Sequence, residues 1–144
     1  MVMAQAFSAS LARQAASIAS RVFSHTHKMR RQCSYAACHG QAGTALRVYA
    51  PGGLRAMPPA TLDEQNNPLT AAEEHANFTS ASGFAVTAPN VDDNFLLKKP
   101  LPSSAGGFEH SGGAIYSGTS DPQYMAIRAW LSGTGTAGSG GCAP

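Results

Sequence analysis

This chain is short of charge. Only 12% of its 144 residues are Asp, Glu, Lys or Arg, about half the usual share. Acids are missing altogether from residues 1–62, which hold seven bases; residues 63–144 hold three bases against eight acids, and the net charge is +2. The bases are scattered rather than interleaved with aromatics, so no nucleic-acid motif is present. The uneven charge suits docking onto a charged partner, or a targeting role for the basic half. No run approaches the ~18 apolar residues of a membrane span. No serine sits in a nucleophile-elbow context. Gly112-Gly113 and Gly133-x-Gly135 follow no strand, which argues against a phosphate cradle. There is no internal repeat.

What is present is loop-formers, 15 Gly and 9 Pro, in a length that fits one domain. Residues 1–21 read as an amphipathic N-terminal helix or a targeting segment. Phe7, Leu11, Ala15 and Ile18 share a stripe that continues to Val22, with Arg13 and Arg21 set among Ser and Ala. The apolar run is too interrupted for a secretory signal and lies closer to a mitochondrial presequence. The helix is expected from Ala4 to Arg31. Residues 40–69 read as irregular, broken by Gly43, Pro51-Gly52-Gly53, Pro58-Pro59 and Asn66-Asn67-Pro68, with Leu46–Tyr49 able to extend. Thr70-Ala71-Ala72-Glu73 is a capping box that should open a helix from Ala71 to about Ala81. Asp92–Lys99 predicts one or two helical turns ended by Pro100. Residues 102–119 form a Gly/Ser loop around His110. Asp121-Pro122 starts a last helix, Pro122–Ser132, expected to bury Tyr124, Ile127, Trp130 and Leu131. Residues 133–144 are a flexible Gly-rich tail.

The chemistry is concentrated in Cys33-Ser34-Tyr35-Ala36-Ala37-Cys38-His39-Gly40. Two thiols and an imidazole fall within seven residues, and Cys38-His39 is the ending of a c-type haem attachment site. There the sulfurs bond the haem vinyl groups and the histidine becomes the proximal iron ligand. The spacing is C-x4-C-H, two residues longer than usual. A zinc site competes but lacks a partner Cys/His pair; a disulfide or buried free thiols also compete. Among distal ligands, His110 sits in a Gly-rich loop 71 residues after His39. Met57 lies in an Ala-Met-Pro-Pro turn only 18 residues after it, and Met125 lies on the last helix, where a core role is expected. His25, His27 and His75 read as solvated, and Cys142 is an unassigned third thiol.

The segment Val22–Gly40 resembles the start of bacterial cytochrome c domains. Phe95-Leu96-Leu97-Lys98-Lys99-Pro100-Leu101, the Gly106–Gly113 loop with His110, and the Tyr124–Trp130 helix are similar to c-type cytochrome domains of myxobacterial and planctomycete proteins. The resemblance covers roughly residues 22–132. It implies a mostly α, small cytochrome c-like domain with long irregular loops around one covalently bound haem c. Cys33 and Cys38 would be the anchors, His39 and His110 the iron ligands, and Tyr35, Phe95, Phe108 and Tyr124 pocket walls. The N-terminal and Trp130 helices would pack together. The implied function is electron transfer rather than enzymatic turnover. Redox proteins would be the partners, with self-association into a haem array a further option, in the periplasm or outside the cell, or else in the mitochondrial intermembrane space. The rival readings are a haem enzyme or ligand sensor with an open sixth position, and a non-haem interaction module whose Cys33 and Cys38 pair or bind zinc.

Overall fold

Helices start where short polar side chains can cap them, and four among the described residues do so. A computed structural model describes residues 33–85 and 90–133. These residues are 38% helical with no sheet. The helices are α1 (Leu62–Asn66), α2 (Ala71–Ser82), α3 (Phe95–Lys98) and α4 (Pro122–Leu131), with 3-10 turns at Val91–Asp93 and Ser103–Ala105. None is long and apolar enough to cross a membrane. The expected Ala4–Arg31 helix, the 1–21 segment, His25, His27, Cys142 and residues 134–144 lie outside the described residues.

The capping box of α2 is formed from both sides. Thr70 Oγ1 accepts from the Glu73 N–H at 3.2 Å, and the Glu73 carboxylate accepts from the Thr70 N–H at 2.9 Å. The helix runs one residue past the expected end and is capped at Gly83. Asp121 caps α4 through the Gln123 N–H at 2.8 Å, with Pro122 in the first turn. Helix α1 falls in the stretch expected to be irregular. Thr61 Oγ1 accepts from the Glu64 N–H, and the Glu64 carboxylate accepts from the Ala60 N–H. Asn94 does two jobs for α3: its Oδ1 caps the Leu96 N–H, and its amide donates to the Phe84 carbonyl, both at 2.9 Å.

The core gathers where α3 and α4 meet the chain after Pro100. Ala81, Leu97 and Ile127 are fully buried, among Cys33, Leu96, Leu101, Ile115, Tyr116 and Tyr124. Tyr116 and Tyr124 pack edge to face with centroids 5.7 Å apart. Both keep their hydroxyls bonded, as buried tyrosines need: Tyr116 donates to the Leu96 carbonyl, and Tyr124 donates to Asp92. Arg128 grips the same Asp92 with two bonds, at 2.6 and 2.9 Å. That guanidinium holds the Asp92 carboxyl below its ordinary value, while burial and the Asp92 bond push Tyr124 up to about 12. The expected burial along α4 holds for Tyr124 and Ile127; Trp130 and Leu131 are half-buried. Trp130 meets Phe78 of α2 edge-on at 6.2 Å. Met125 is half exposed rather than a core residue, because it points off the face that Tyr124 and Ile127 bury.

One face of α2 holds the neighbouring irregular chain in place. Glu73, Asn77 and Ser80 recur at helical spacing and hold the irregular chain from Arg47 to Ala56. The Ser80 hydroxyl accepts from the Arg47 N–H at 2.8 Å. Asn77 pairs with both the N–H and the carbonyl of Tyr49, at 2.7 and 2.9 Å. Glu73 accepts from the Ala56 N–H and from Arg55, whose guanidinium also donates to the carbonyls of Glu64, Gln65, Asn67 and Pro68. Burial alone would raise the Glu73 carboxyl, but its bonds to Arg55, Thr70 and Ala56 outweigh that and bring it down to about 2.

Candidate functional site

The cysteine segment folds into a tight turn closed on itself. The Cys38 and Gly40 N–H groups both donate to the Tyr35 carbonyl, at 2.8 and 3.0 Å, and the His39 N–H donates to the Cys33 carbonyl at 2.9 Å. Gln41 reaches back to the Ala36 carbonyl. The turn is possible because Gly40 has no side chain: a Cβ there would run into the Ser34 carbonyl. Val48 then bonds the His39 carbonyl at 2.8 Å and carries the chain toward α2.

The two thiols differ in setting. Cys33 is only 8% exposed and belongs to the apolar core, whereas Cys38 is partly exposed; neither is in a disulfide. Burial, helped by nearby Cys38, pushes the Cys33 thiol up to about 11. Among the described residues no group of three or more His, Cys, Asp or Glu side chains could hold a metal, so the zinc alternative finds no such ligand set there.

The histidines are aimed by backbone. His39 Nδ1 lies 2.9 Å from the Leu46 carbonyl, which also accepts from Thr44 Oγ1. His110 Nδ1 lies 3.3 Å from the Gly113 carbonyl, and the Gly113 N–H returns a bond to the His110 carbonyl at 2.8 Å. Gly113 takes the left-handed conformation that this reciprocal turn requires (φ 71°). A carbonyl can only accept, so in both rings Nδ1 carries a hydrogen. Metal-binding imidazoles are oriented by just this kind of partner on their second nitrogen.

The fold brings these two rings together across 71 residues of sequence. Their centroids are 6.1 Å apart and their planes within 17° of parallel. Near-parallel rings whose centroids lie about 4.5–7 Å apart are in the range of offset stacking. Two imidazoles sharing one metal through bonds of about 2 Å have centroids on the order of 6 Å apart. The separation by itself matches both a stacked pair and two ligands of one metal. The His110 loop is held at its base: Phe108 N–H bonds the Lys98 carbonyl at 2.9 Å, and Ile115 and Tyr116 N–H share the Pro100 carbonyl.

The remaining sequence-predicted residues are distributed as follows. Tyr35 is 54% exposed beside the cysteine turn, and Phe95 and Phe108, in ring contact at 6.0 Å, are 60% and 45% exposed. Tyr124 is a core residue tied to Asp92, so the expectation that it walls a ligand pocket with the other three is not met. Met57 is 79% exposed. Met125 lines a separate cleft of about 420 Å³ with Asp92, Tyr124 and Arg128. His75 is on the exposed face of α2 next to Phe78.

Sequence reasoning missed the carbonyls of Leu46 and Gly113, because every residue carries one and only the fold says which is near a ring. It also missed Gly112, where a Cβ would stand 2.9 Å from His110 Cε1. Comparison with protein-family models, with curated proteins and with solved structures returns no match for this chain. The donor chemistry is thus the only guide to function. The site offers two imidazoles held through Nδ1, a partly exposed thiol beside one of them, and exposed aromatics on both loops.

Proposed function

We propose that this chain is a small, helical c-type cytochrome carrying one covalent haem and serving as an electron carrier. The observation that carries the reading is the His39–His110 pair: near-parallel rings, 6.1 Å apart, each with Nδ1 engaged by a carbonyl. When bound, the haem iron would supply a one-electron ferrous–ferric couple. His39 and His110 would hold the iron, and the Leu46 and Gly113 carbonyls, each bonded to Nδ1, would keep both rings from turning as its charge changes. Each Nδ1–H···O=C bond also makes its ring a stronger donor. Two imidazoles in place of a thioether favour a lower reduction potential. Tyr35, Phe95 and Phe108 offer aromatic surface of the kind that covers a porphyrin edge, and exposed apolar patches of this type mark binding surfaces. Partners would be other redox proteins, in a compartment outside the bacterial cytoplasm.

The test is a haem-stained denaturing gel followed by spectra of the reduced protein with and without carbon monoxide. A stained band and a sharp low-spin spectrum unchanged by carbon monoxide are expected. Ready carbon monoxide binding would move the reading to a haem enzyme or sensor with an open sixth position. An unstained band would overturn haem altogether.

A further inference from the structure

A C-x-x-C-H site needs its first sulfur three residues before the second, and in this chain that position is Tyr35. The Tyr35 carbonyl closes the turn onto the Cys38 and Gly40 N–H groups, and its side chain is exposed. Cys33 lies two residues further back, at the foot of the turn, where the His39 N–H binds its carbonyl at 2.9 Å. Its side chain is buried among Leu96, Leu97, Tyr116 and the rest of the apolar core. The neighbouring Ser34 is packed just as tightly, since a Cβ at either Gly40 or Gly53 would collide with it. Drawing the Cys33 sulfur out to a porphyrin edge would mean opening that packing. Cys38 needs no such movement, because it is partly exposed and adjoins His39.

We infer that haem attachment in this chain runs through a single thioether, at Cys38, and that Cys33 is a structural thiol of the core. The inference rests on the haem reading above and sharpens it. The Cys38 S–H adds across one vinyl double bond. A carbon–sulfur bond forms at the carbon next to the ring and a carbon–hydrogen bond at the terminal carbon, which takes the thiol hydrogen, while the S–H bond and the vinyl π bond break. The addition consumes no oxidant, and the second vinyl group stays unsaturated.

The experiment uses the haem-loaded full chain. It is denatured, its free thiols are capped with iodoacetamide, and the peptide spanning both cysteines is fragmented in a mass spectrometer. The expected result is haem mass on Cys38 with the alkyl cap on Cys33. The reduced pyridine complex should absorb between the positions set by haem with two vinyl groups and haem with none. In parallel, Cys33→Ala should keep the haem stain and Cys38→Ala should lose it. Haem joined to both sulfurs, with Cys33 uncapped, would overturn the single attachment while leaving the cytochrome reading intact. No haem on the parent chain would sink both. The capping result on the parent chain decides the matter even if Cys33→Ala fails to fold.

Discussion

Two irregular regions of this molecule are held in opposite ways. From Arg47 to Ala56, side chains of α2 fix a backbone: Glu73, Asn77 and Ser80 bind N–H and carbonyl groups of a chain whose only ladder contact among the described residues is the Tyr49–Leu54 bridge. In the His39 and His110 loops, backbone fixes side chains: the Leu46 and Gly113 carbonyls bind the imidazoles. The difference separates two demands. Where only the path of the chain matters, buried polar side chains satisfy it. Where the direction of one atom matters, carbonyls set by tight turns aim it.

The comparison can be broken most severely at Glu73. Removing it in Glu73→Ala takes the carboxylate partner from the nearly buried Arg55, a change that costs roughly 3–5 kcal/mol in such pairs. A urea titration would read it, and unchanged stability would mean that α2 does not hold the loop. The same carboxylate predicts acid sensitivity. Its folded pKa, about 2, lies below its ordinary value of 4.5, so its contribution is complete above that value and is lost as pH falls from there toward 2. Parent and Glu73→Gln stability curves should therefore converge across that window. Next in size is Asn77→Ala, which leaves the Tyr49 N–H and carbonyl without their partner at a cost of about 1–3 kcal/mol, measured by thermal unfolding.

The smallest effect on stability sharpens the other side. In Gly112→Ala the new methyl group meets the end of a side chain, His110 Cε1, rather than backbone. Unfolding free energy should shift by no more than about 0.5 kcal/mol, while the ring is pushed off its aim and the haem-loaded protein loses low-spin character. Equal loss of both would show that the His110 loop is part of the fold's stability after all.

The sequence made the helix starts readable because caps are local. Thr70-x-x-Glu73 and Asp121-Pro122 announced α2 and α4 to within a residue. Thr61-x-x-Glu64 carries the same signal for α1, inside a stretch that its prolines and asparagines make read as irregular. The pairing of His39 with His110 was legible as a possibility, since a Gly-rich loop leaves a ring free to approach. The burial difference between Cys33 and Cys38 was not, because it depends on Leu96, Leu97 and Tyr116 arriving from 60 and more residues away. Nor was the α2 clamp. Glu73, Asn77 and Ser80 look like an ordinary solvated face until the Arg47–Ala56 chain is laid along them.

The meeting of His39 and His110 also makes the site a staple. Whatever binds both rings joins two points 71 residues apart, and the ring it closes encloses α1, α2 and α3. A permanent link over that span lowers the disorder of the unfolded chain by an amount worth on the order of 4 kcal/mol. A domain whose described residues hold short helices and no sheet would then owe a good part of its resistance to heat and proteases to occupancy. Loaded and unloaded chains would differ in lifetime as well as in colour.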